Sequence, residues 1–365
     1  MSGGSRTRPT VKARASLLLA HVLGWAAGRT PRIVGYWLAD RTADLLLLIL
    51  PTYRKNVAAN LSRVLAVAPE EDCITTLTRA VFRTSARNFF DLLRLPHVSD
   101  ARLRQSVRVA PESWERLDSA LALGRGALAV TAHVGAFDYA GQLVAMQGYD
   151  ATALTTRTVP EFIYSTVTHL RSSRGMTLVE ATPGGVRRVL QSVRAGGVAV
   201  LLADRDFHQS GEPIDFFGQP TTLPVGPARL ARDTGAPIVP MFSRRSGLGY
   251  DFVLGEPFLV ERTEDAARDI RVAMARIVAL FERIIRADPS QWVMFQAVWP
   301  SEPPAALRVF PIGSPLAGRL LGHGADLARP LTEPAVPADE PDPPGAPAEP
   351  RARVRQGDAN DTSDS

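Results

Sequence analysis

Gly126-Ala-Leu-Ala-Val-Thr-Ala-His133-Val-Gly-Ala-Phe-Asp138 runs an apolar strand into a histidine, then reaches an aspartate five positions on, where a helix begins. A strand feeding a short Gly-containing turn projects an imidazole from the strand end. Asp138, in the first helical turn, is placed to hold one ring nitrogen. That is the layout of an enzyme that takes a proton from an alcohol. None of His21, His97, His169, His208 or His323 has an acid five residues on. The plainer reading of His133 is a buried histidine satisfied by local hydrogen bonds.

Outward from this stretch the pattern alternates. Helices are predicted over 112–123, 139–147, 161–173, 185–195 and 226–234, and strands over 127–132, 151–155, 177–179, 198–203, 237–243 and 252–254. The segment 207–224 reads as a loop, and a long helix covers 264–286. Alternating strand and helix specifies an α/β fold, a central sheet covered by helices. Before it, 32–49, 53–65 and 70–93 show helical spacing, punctuated by Pro51, Pro69 and Pro96. The organisation is therefore a disordered start over 1–12 and one catalytic domain over 13–312. That domain is helical over 13–95 and α/β over 111–312, and a disordered tail covers 328–365.

The apolar segment 17–51 is interrupted by Arg29, Arg32, Asp40, Arg41 and Asp44, so no run reaches the roughly 20 residues of a spanning helix. No small-residue cleavage site follows a short apolar core, and a removed signal peptide is not expected. Two amphipathic helices broken at Thr30-Pro31 fit better. With Trp25, Tyr36 and Trp37 on apolar faces and Arg6, Arg8, Lys12 and Arg14 just before them, they suit an anionic membrane surface. Ordinary core helices are the alternative.

The chain has 365 residues, 45% of them hydrophobic, enough for a substantial core. From Pro330 to Ser365 eight acids face three arginines, so a net of +5 on the whole chain becomes +10 on what precedes the tail. Lys12 and Lys55 are the only lysines, and arginine's planar fork suits phosphate. No helix-turn-helix, zinc finger or aromatic-basic RNA motif accompanies that charge, and nucleic acid is not expected as a partner. Cys73 is the single cysteine, which excludes an intrachain disulfide and leaves no sign of a metal site.

A second polar cluster, Asp204-Arg205-Asp206-Phe207, again ends an apolar strand, and substrates of open α/β sheets bind at that edge. Asp204 is thus a candidate to stabilise the imidazolium of His133, or alternatively, with Asp206, to cap the loop or pair with Arg205. Phe216 and Phe217 beside Gly218 suggest an aromatic turn lining an apolar pocket, and Gly226 opens a helix carrying Arg229. Arg171 and Arg174 lie near the same edge, where one is placed to clamp an anionic ligand, though a lone arginine is commonly just solvated.

His133-x4-Asp138, the Asp204-to-Phe207 turn, Asp215-Phe-Phe-Gly218, Leu223-Pro-Val-Gly-Pro-Ala228, Thr234-Gly-Ala-Pro-Ile-Val-Pro240 and Gln291-Trp292 occur together in one order. In that order they resemble the lipid A lauroyl acyltransferase superfamily, over about residues 24–300. Arg171-Ser-Ser-Arg-Gly175-Met176 and the NVAANLSRV of 56–64 look most like its actinobacterial branch, which acylates phosphatidylinositol mannosides. The resemblance implies a glycerolipid acyltransferase-like αβα sandwich, peripheral on the cytoplasmic face of the inner membrane. It implies transfer of a long acyl chain from acyl-CoA to a mannose hydroxyl of a phosphatidylinositol mannoside, with no metal and no cofactor.

Carried over by position, His133 is the general base, Asp138 orients it, Arg171 lies in the cleft and Asp204 is the second acid. That branch carries glutamate where Asp204 stands, and Asp206 competes for the role. Arg205, Asp206, Phe217 and Arg229 join Arg171 as candidate substrate contacts. A sugar hydroxyl needs a positioned base to attack a thioester, which is worth about 10²- to 10⁴-fold. Backbone donors just after His133 are candidates for the oxyanion. No Gly-x-Ser-x-Gly elbow suggests a serine nucleophile. Acylation of another glycolipid or lysophospholipid, hydrolysis of the thioester, and a silent lipid-binding homologue are the rival readings.

Overall fold

The computed structural model describes residues 11–157, 159–206 and 211–299, with 11–14 described as backbone only. The expected disorder over 1–10 and 328–365, and the end of the domain beyond 299, lie outside the described residues. Val11 and Lys12 are already helical.

Four helices come first: α1 (Val11–Arg29), α2 (Arg32–Ile49), α3 (Pro51–Leu65) and α4 (Asp72–Arg94). Pro31 directly precedes α2 and Pro51 opens α3, the positions where a missing N–H breaks no helical bond. A short helix α5 (Asp100–Gln105) and strand β1 (Val107–Val109) lead into α6 (Ser113–Leu121), β2 (Ala127–Thr131), α7 (Phe137–Met146) and β3 (Ala151–Thr155). Then come α8 (Glu161–Arg171), β4 (Thr177–Glu180), α9 (Pro183–Arg194), β5 (Val198–Leu202), β6 (Glu212–Phe216) and β7 (Gln219–Leu223). The order closes with α10 (Gly226–Thr234), β8 (Ile238–Ser246), β9 (Gly249–Leu254) and α11 (Ala266–Ala287).

Seven strands form one sheet in the order β1-β9-β8-β2-β5-β3-β4, with β8 and β9 antiparallel and every other neighbour parallel. The central strand β2 is buried along its whole length, as a strand covered on both faces must be. Its side chains alternate between two cores. Leu128 and Val130 pack with α9, α10 and α11, while Ala127 and Ala129 pack with α6, α7 and the end of α4. The result is the helix-sheet-helix sandwich expected from the alternation.

Besides the short α5 and β1, which the sequence pattern does not predict, two regions differ from expectation. The segment read as a loop contains the antiparallel hairpin β6–β7, turned at Phe217 and Gly218 with φ of 55° and 73°. Two left-handed residues make the mirror-image turn that matches strand twist, a turn normally announced by Asn-Gly rather than Phe-Gly.

The amino-terminal pair follows its expectation in part: Trp25 and Trp37 are exposed, whereas Tyr36 is buried beside Phe90. Small residues face inward: Ala20 and Ala27 of α1 and Gly35, Ala39 and Ala43 of α2 are buried. A Cβ on Gly35 would meet Phe90 of α4 at 2.0 Å, so the helices seat by close approach. Leu18, Leu19, Val22, Trp25, Ile33, Trp37, Leu48 and Ile49 are left exposed on the outer side. No described helix is long and apolar enough to cross a membrane.

Candidate active site

The parallel pairing of β2 with β5 sets Thr131 opposite Leu202, and two residues further along each chain stand His133 and Asp204. The Ala203 N–H still reaches the Thr131 carbonyl at 3.1 Å, so the register holds past the strand ends. There His133 Nδ1 lies 2.7 Å from Asp204 Oδ1, and the His133 backbone N–H donates to Oδ2 at 2.8 Å. The indole N–H of Trp292 donates to Oδ2 as well, at 3.0 Å. The Asp204 side chain is fully buried, while that of His133 is 16% exposed.

Burial pushes the Asp204 carboxyl up, but the charge His133 carries when its ring is protonated, together with the hydrogen bonds from His133 and Trp292, outweighs it. The net shift is below the ordinary range. An ionised carboxylate only accepts, so Nδ1 carries the proton and Nε2 presents its lone pair. Among the described residues nothing bonds Nε2, and the ring lies edge-to-face with Phe137 at 5.0 Å between centroids.

Asp138 does not hold the imidazole. Its carboxylate pairs with Arg171, whose Nε is 2.7 Å from Oδ1 and whose terminal nitrogen donates to Oδ2 at 3.2 Å. The reason is geometric: Asp138 lies in the first turn of α7 on the side facing the end of α8, where Arg171 ends the helix. The ring nitrogen instead belongs to the neighbouring strand. The carboxylate on the ring is that of Asp204 rather than Asp206, which accepts from the Gly211 N–H at 2.8 Å.

Arg205 adjoins this pair. Burial lowers its guanidinium to about 10, with Asp204 and Tyr53 opposing the shift, so it remains a cation at neutral pH. Phe217 sits in an aromatic cluster. It is 7% exposed and packs against Phe216, Trp292 and Trp299, beneath the Arg286 guanidinium. Arg229 is exposed and pairs with Glu212 at 3.3 Å. Arg174 is structural: it binds Asp100 at 2.7 Å and the Leu95 and Val98 carbonyls.

The backbone donors after His133 are also committed. Val134 N–H goes to the Ala132 carbonyl at 2.7 Å and Gly135 N–H to that of Gln291 at 2.9 Å. The first-turn N–H groups of α7 follow immediately.

Sequence reasoning gave no role to Trp292, Gln291 or Asn88. The segment 291–293 runs beside the His133 loop: Val293 N–H donates to the His133 carbonyl at 2.8 Å and Trp292 bridges Val134. Asn88 donates to the Gly135 carbonyl at 2.6 Å. The Gln291-Trp292 pair was visible as a motif, without a partner to give it meaning.

A family model described as bacterial lipid A biosynthesis acyltransferase matches residues 6–301. The chain is similar to the phosphatidylinositol mannoside acyltransferase of Mycobacterium tuberculosis, with 32% identity over 244 residues, 66% of this chain and 75% of the relative. Its similarity to the protein of the same name in Mycolicibacterium smegmatis is 30% over 244 residues, 66% of this chain and 77% of the relative.

Proposed function

This chain belongs to the bacterial lipid A biosynthesis acyltransferase family, and on that premise we propose that it moves a long-chain acyl group from acyl-CoA to a mannose hydroxyl of a phosphatidylinositol mannoside. The observation that carries the chemistry is the buried, ionised Asp204 on Nδ1 of His133, which leaves Nε2 as the base.

In the first step Nε2 takes the proton of the sugar hydroxyl as its oxygen attacks the thioester carbonyl carbon, giving a tetrahedral oxyanion and an imidazolium. Asp204 stabilises the imidazolium at Nδ1. We assign the oxyanion to the backbone N–H groups of Phe137 and Asp138, which open α7 at its positive end, since those of Tyr139 and Ala140 already donate to the Ala136 carbonyl. Collapse breaks the carbon–sulfur bond, the thiolate leaves, and the imidazolium returns its proton to it. The products are an ester and free thiol, and no covalent acyl-enzyme forms. Arg171 and Arg205, the cations beside the base, are assigned to anionic parts of the substrates.

The exposed apolar face of α1 and α2 supports attachment to a bilayer, where both the acyl chain and the acceptor lipid reside. A peripheral place on the cytoplasmic side of the inner membrane suits a donor made in the cytoplasm.

The test is thiol release from palmitoyl-CoA by wild type and His133→Ala, with and without the mannosylated lipid. Acceptor-dependent release that is lost in the variant, with an acylated glycolipid as product, is the expected outcome. Release that ignores the acceptor but needs His133 would indicate a thioesterase or a different acceptor. Release by neither protein would favour a silent lipid-binding fold.

A further inference from the structure

Helices α2 and α4 and the turn at Ser290 and Gln291 enclose a cavity of about 850 Å³, whose charged lining is Arg79, Arg83, Arg87 and Arg245 against one carboxylate, Asp44. Three of these arginines stand four residues apart on α4, which puts them on one face of the helix. Across from them α2 offers Asp40 and Asp44 at the same spacing. Asp40 is taken by Arg87 through two hydrogen bonds of 2.8 and 2.7 Å. Asp44 alone serves Arg79 at 2.7 Å, Arg83 at 2.9 Å and Arg41 at 3.3 Å.

One carboxylate neutralises one guanidinium, so of the two lining arginines that share Asp44 one positive charge is left in surplus, with Arg41 just outside the lining. The hydrogen bonds from Arg79 and Arg83 hold the Asp44 carboxyl well below the usual carboxylate range.

Arg245, 8% exposed, forms the inner wall. It pairs with Asp91 at 2.9 Å and donates to Asn88 at 2.6 Å, while its Nε–H is buried without a partner. At the rim Leu47 and Leu48 line the opening, and Leu45, Leu48 and Ile49 stand exposed along α2.

We propose that this cavity binds the phosphate of an anionic phospholipid whose acyl chains lie along the apolar outer side of α2. The forks of Arg79, Arg83 and Arg87 are taken by Asp44 and Asp40, which leaves each a second terminal nitrogen, and those remaining N–H groups with the surplus charge are what a phosphate would meet. The exposed leucines beside the opening select a lipid over a soluble phosphate ester, because only the lipid covers both surfaces.

The site also bears on the reaction centre. Arg245 and Gln291 exchange hydrogen bonds of 2.7 and 3.0 Å, and the Gln291 carbonyl holds the Gly135 N–H two residues after His133. Asn88 links Arg245 to the Gly135 carbonyl. The phosphate therefore braces the loop that carries the base.

Binding is read without turnover, so its failure is separate from failure of the acyl-transfer reading. The full chain is titrated with phosphatidylcholine vesicles with and without phosphatidylglycerol, for wild type, Arg79→Gln/Arg83→Gln and Arg187→Gln/Arg188→Gln. The last variant removes the same charge from an exposed part of α9. The α4 double variant is expected to bind the phosphatidylglycerol vesicles about tenfold more weakly than the α9 variant, about 1.4 kcal/mol. Equal affinities for the two variants would overturn the site, since net charge alone would then explain binding. Soluble glycerophosphoglycerol is the second probe. Tight binding of it, with vesicle binding indifferent to the α4 arginines, would overturn the lipid assignment in favour of a soluble phosphate. A melting curve checks folding, and the single Arg79→Gln, at a half-exposed position, repeats the comparison should the double variant not fold.

Discussion

Trp292 and His133 share one carboxylate: the indole N–H and the histidine backbone N–H both fall on Oδ2 of Asp204, leaving Oδ1 to the imidazole. The carboxylate is therefore fixed before any substrate arrives, and the indole is one of its anchors. Because Trp292 touches neither Nε2 nor the cleft, its role is to position.

Trp292→Phe keeps most of the ring and removes the donor. A hydrogen bond to a charged group is worth about 1.5–3 kcal/mol, so kcat is expected to fall by about 10- to 100-fold. The pH–rate profile should shift with it, because the base loses part of its partner's charge stabilisation. A variant with an unchanged profile and only a lower melting temperature would make Trp292 a packing residue.

Asp204→Asn tests the tautomer. An amide can donate to Nδ1 and so favours the proton on Nε2, and the corresponding change in a serine protease triad costs about 10⁴-fold in kcat. A similar order of loss is expected here, with His133 intact.

The same residue sets a pH dependence of stability. The folded carboxyl titrates below its unfolded value of about 3.9. Its contribution is therefore full above about pH 4 and is lost as pH falls through the folded value. Wild type should lose stability on acidification below pH 4, while Asp204→Asn lacks that component. Chemical denaturation of both proteins from about pH 6 downward measures it, and parallel curves would contradict the ionised, hydrogen-bonded Asp204.

Asp138 and Arg171 act as a pair in this structure, so their losses should not add. Asp138→Asn, Arg171→Gln and the double variant are expected to show similar kcat/KM, with a coupling energy of about 0.5–3 kcal/mol. Strict additivity in the cycle would mean that the two side chains serve the reaction separately.

What could be read from the chain follows from where its chemistry sits. His133 and Asp204 each close an apolar run that reads as a strand, and neighbouring parallel strands end at one edge. Asp138 misleads because five residues along the chain is not a distance in space, and Arg171 competes for it from another helix. Trp292 is 88 residues beyond Asp204, and no local pattern reports that contact. The hairpin was hidden because Phe217, not asparagine or glycine, occupies a left-handed turn position, held there by its aromatic packing and by Glu282 accepting from its N–H. The strand β1 has three residues, too few to show alternation. In α1 and α2 large apolar residues face outward and small ones inward, a pattern that periodicity cannot orient without α4 beneath it.

Gly135 joins the base to its surroundings most tightly. Its φ is +60°, its N–H and carbonyl are held by Gln291 and Asn88, and a Cβ there would lie 2.0 Å from the Ser243 carbonyl oxygen. Backbone has no flexible end to give way, so Gly135→Ala must displace the loop or β8. A left-handed non-glycine residue and an overpacked contact each cost about 1–3 kcal/mol. The variant should therefore melt several degrees lower and lose activity out of proportion, since His133 lies two residues away and a displacement of about 1 Å can cost 10²-fold. Gly124→Ala, also at positive φ but with open space around its Cβ, isolates the backbone term. Equal effects of the two substitutions on activity would show that the fit of Gly135 against Ser243 does not hold the base in place.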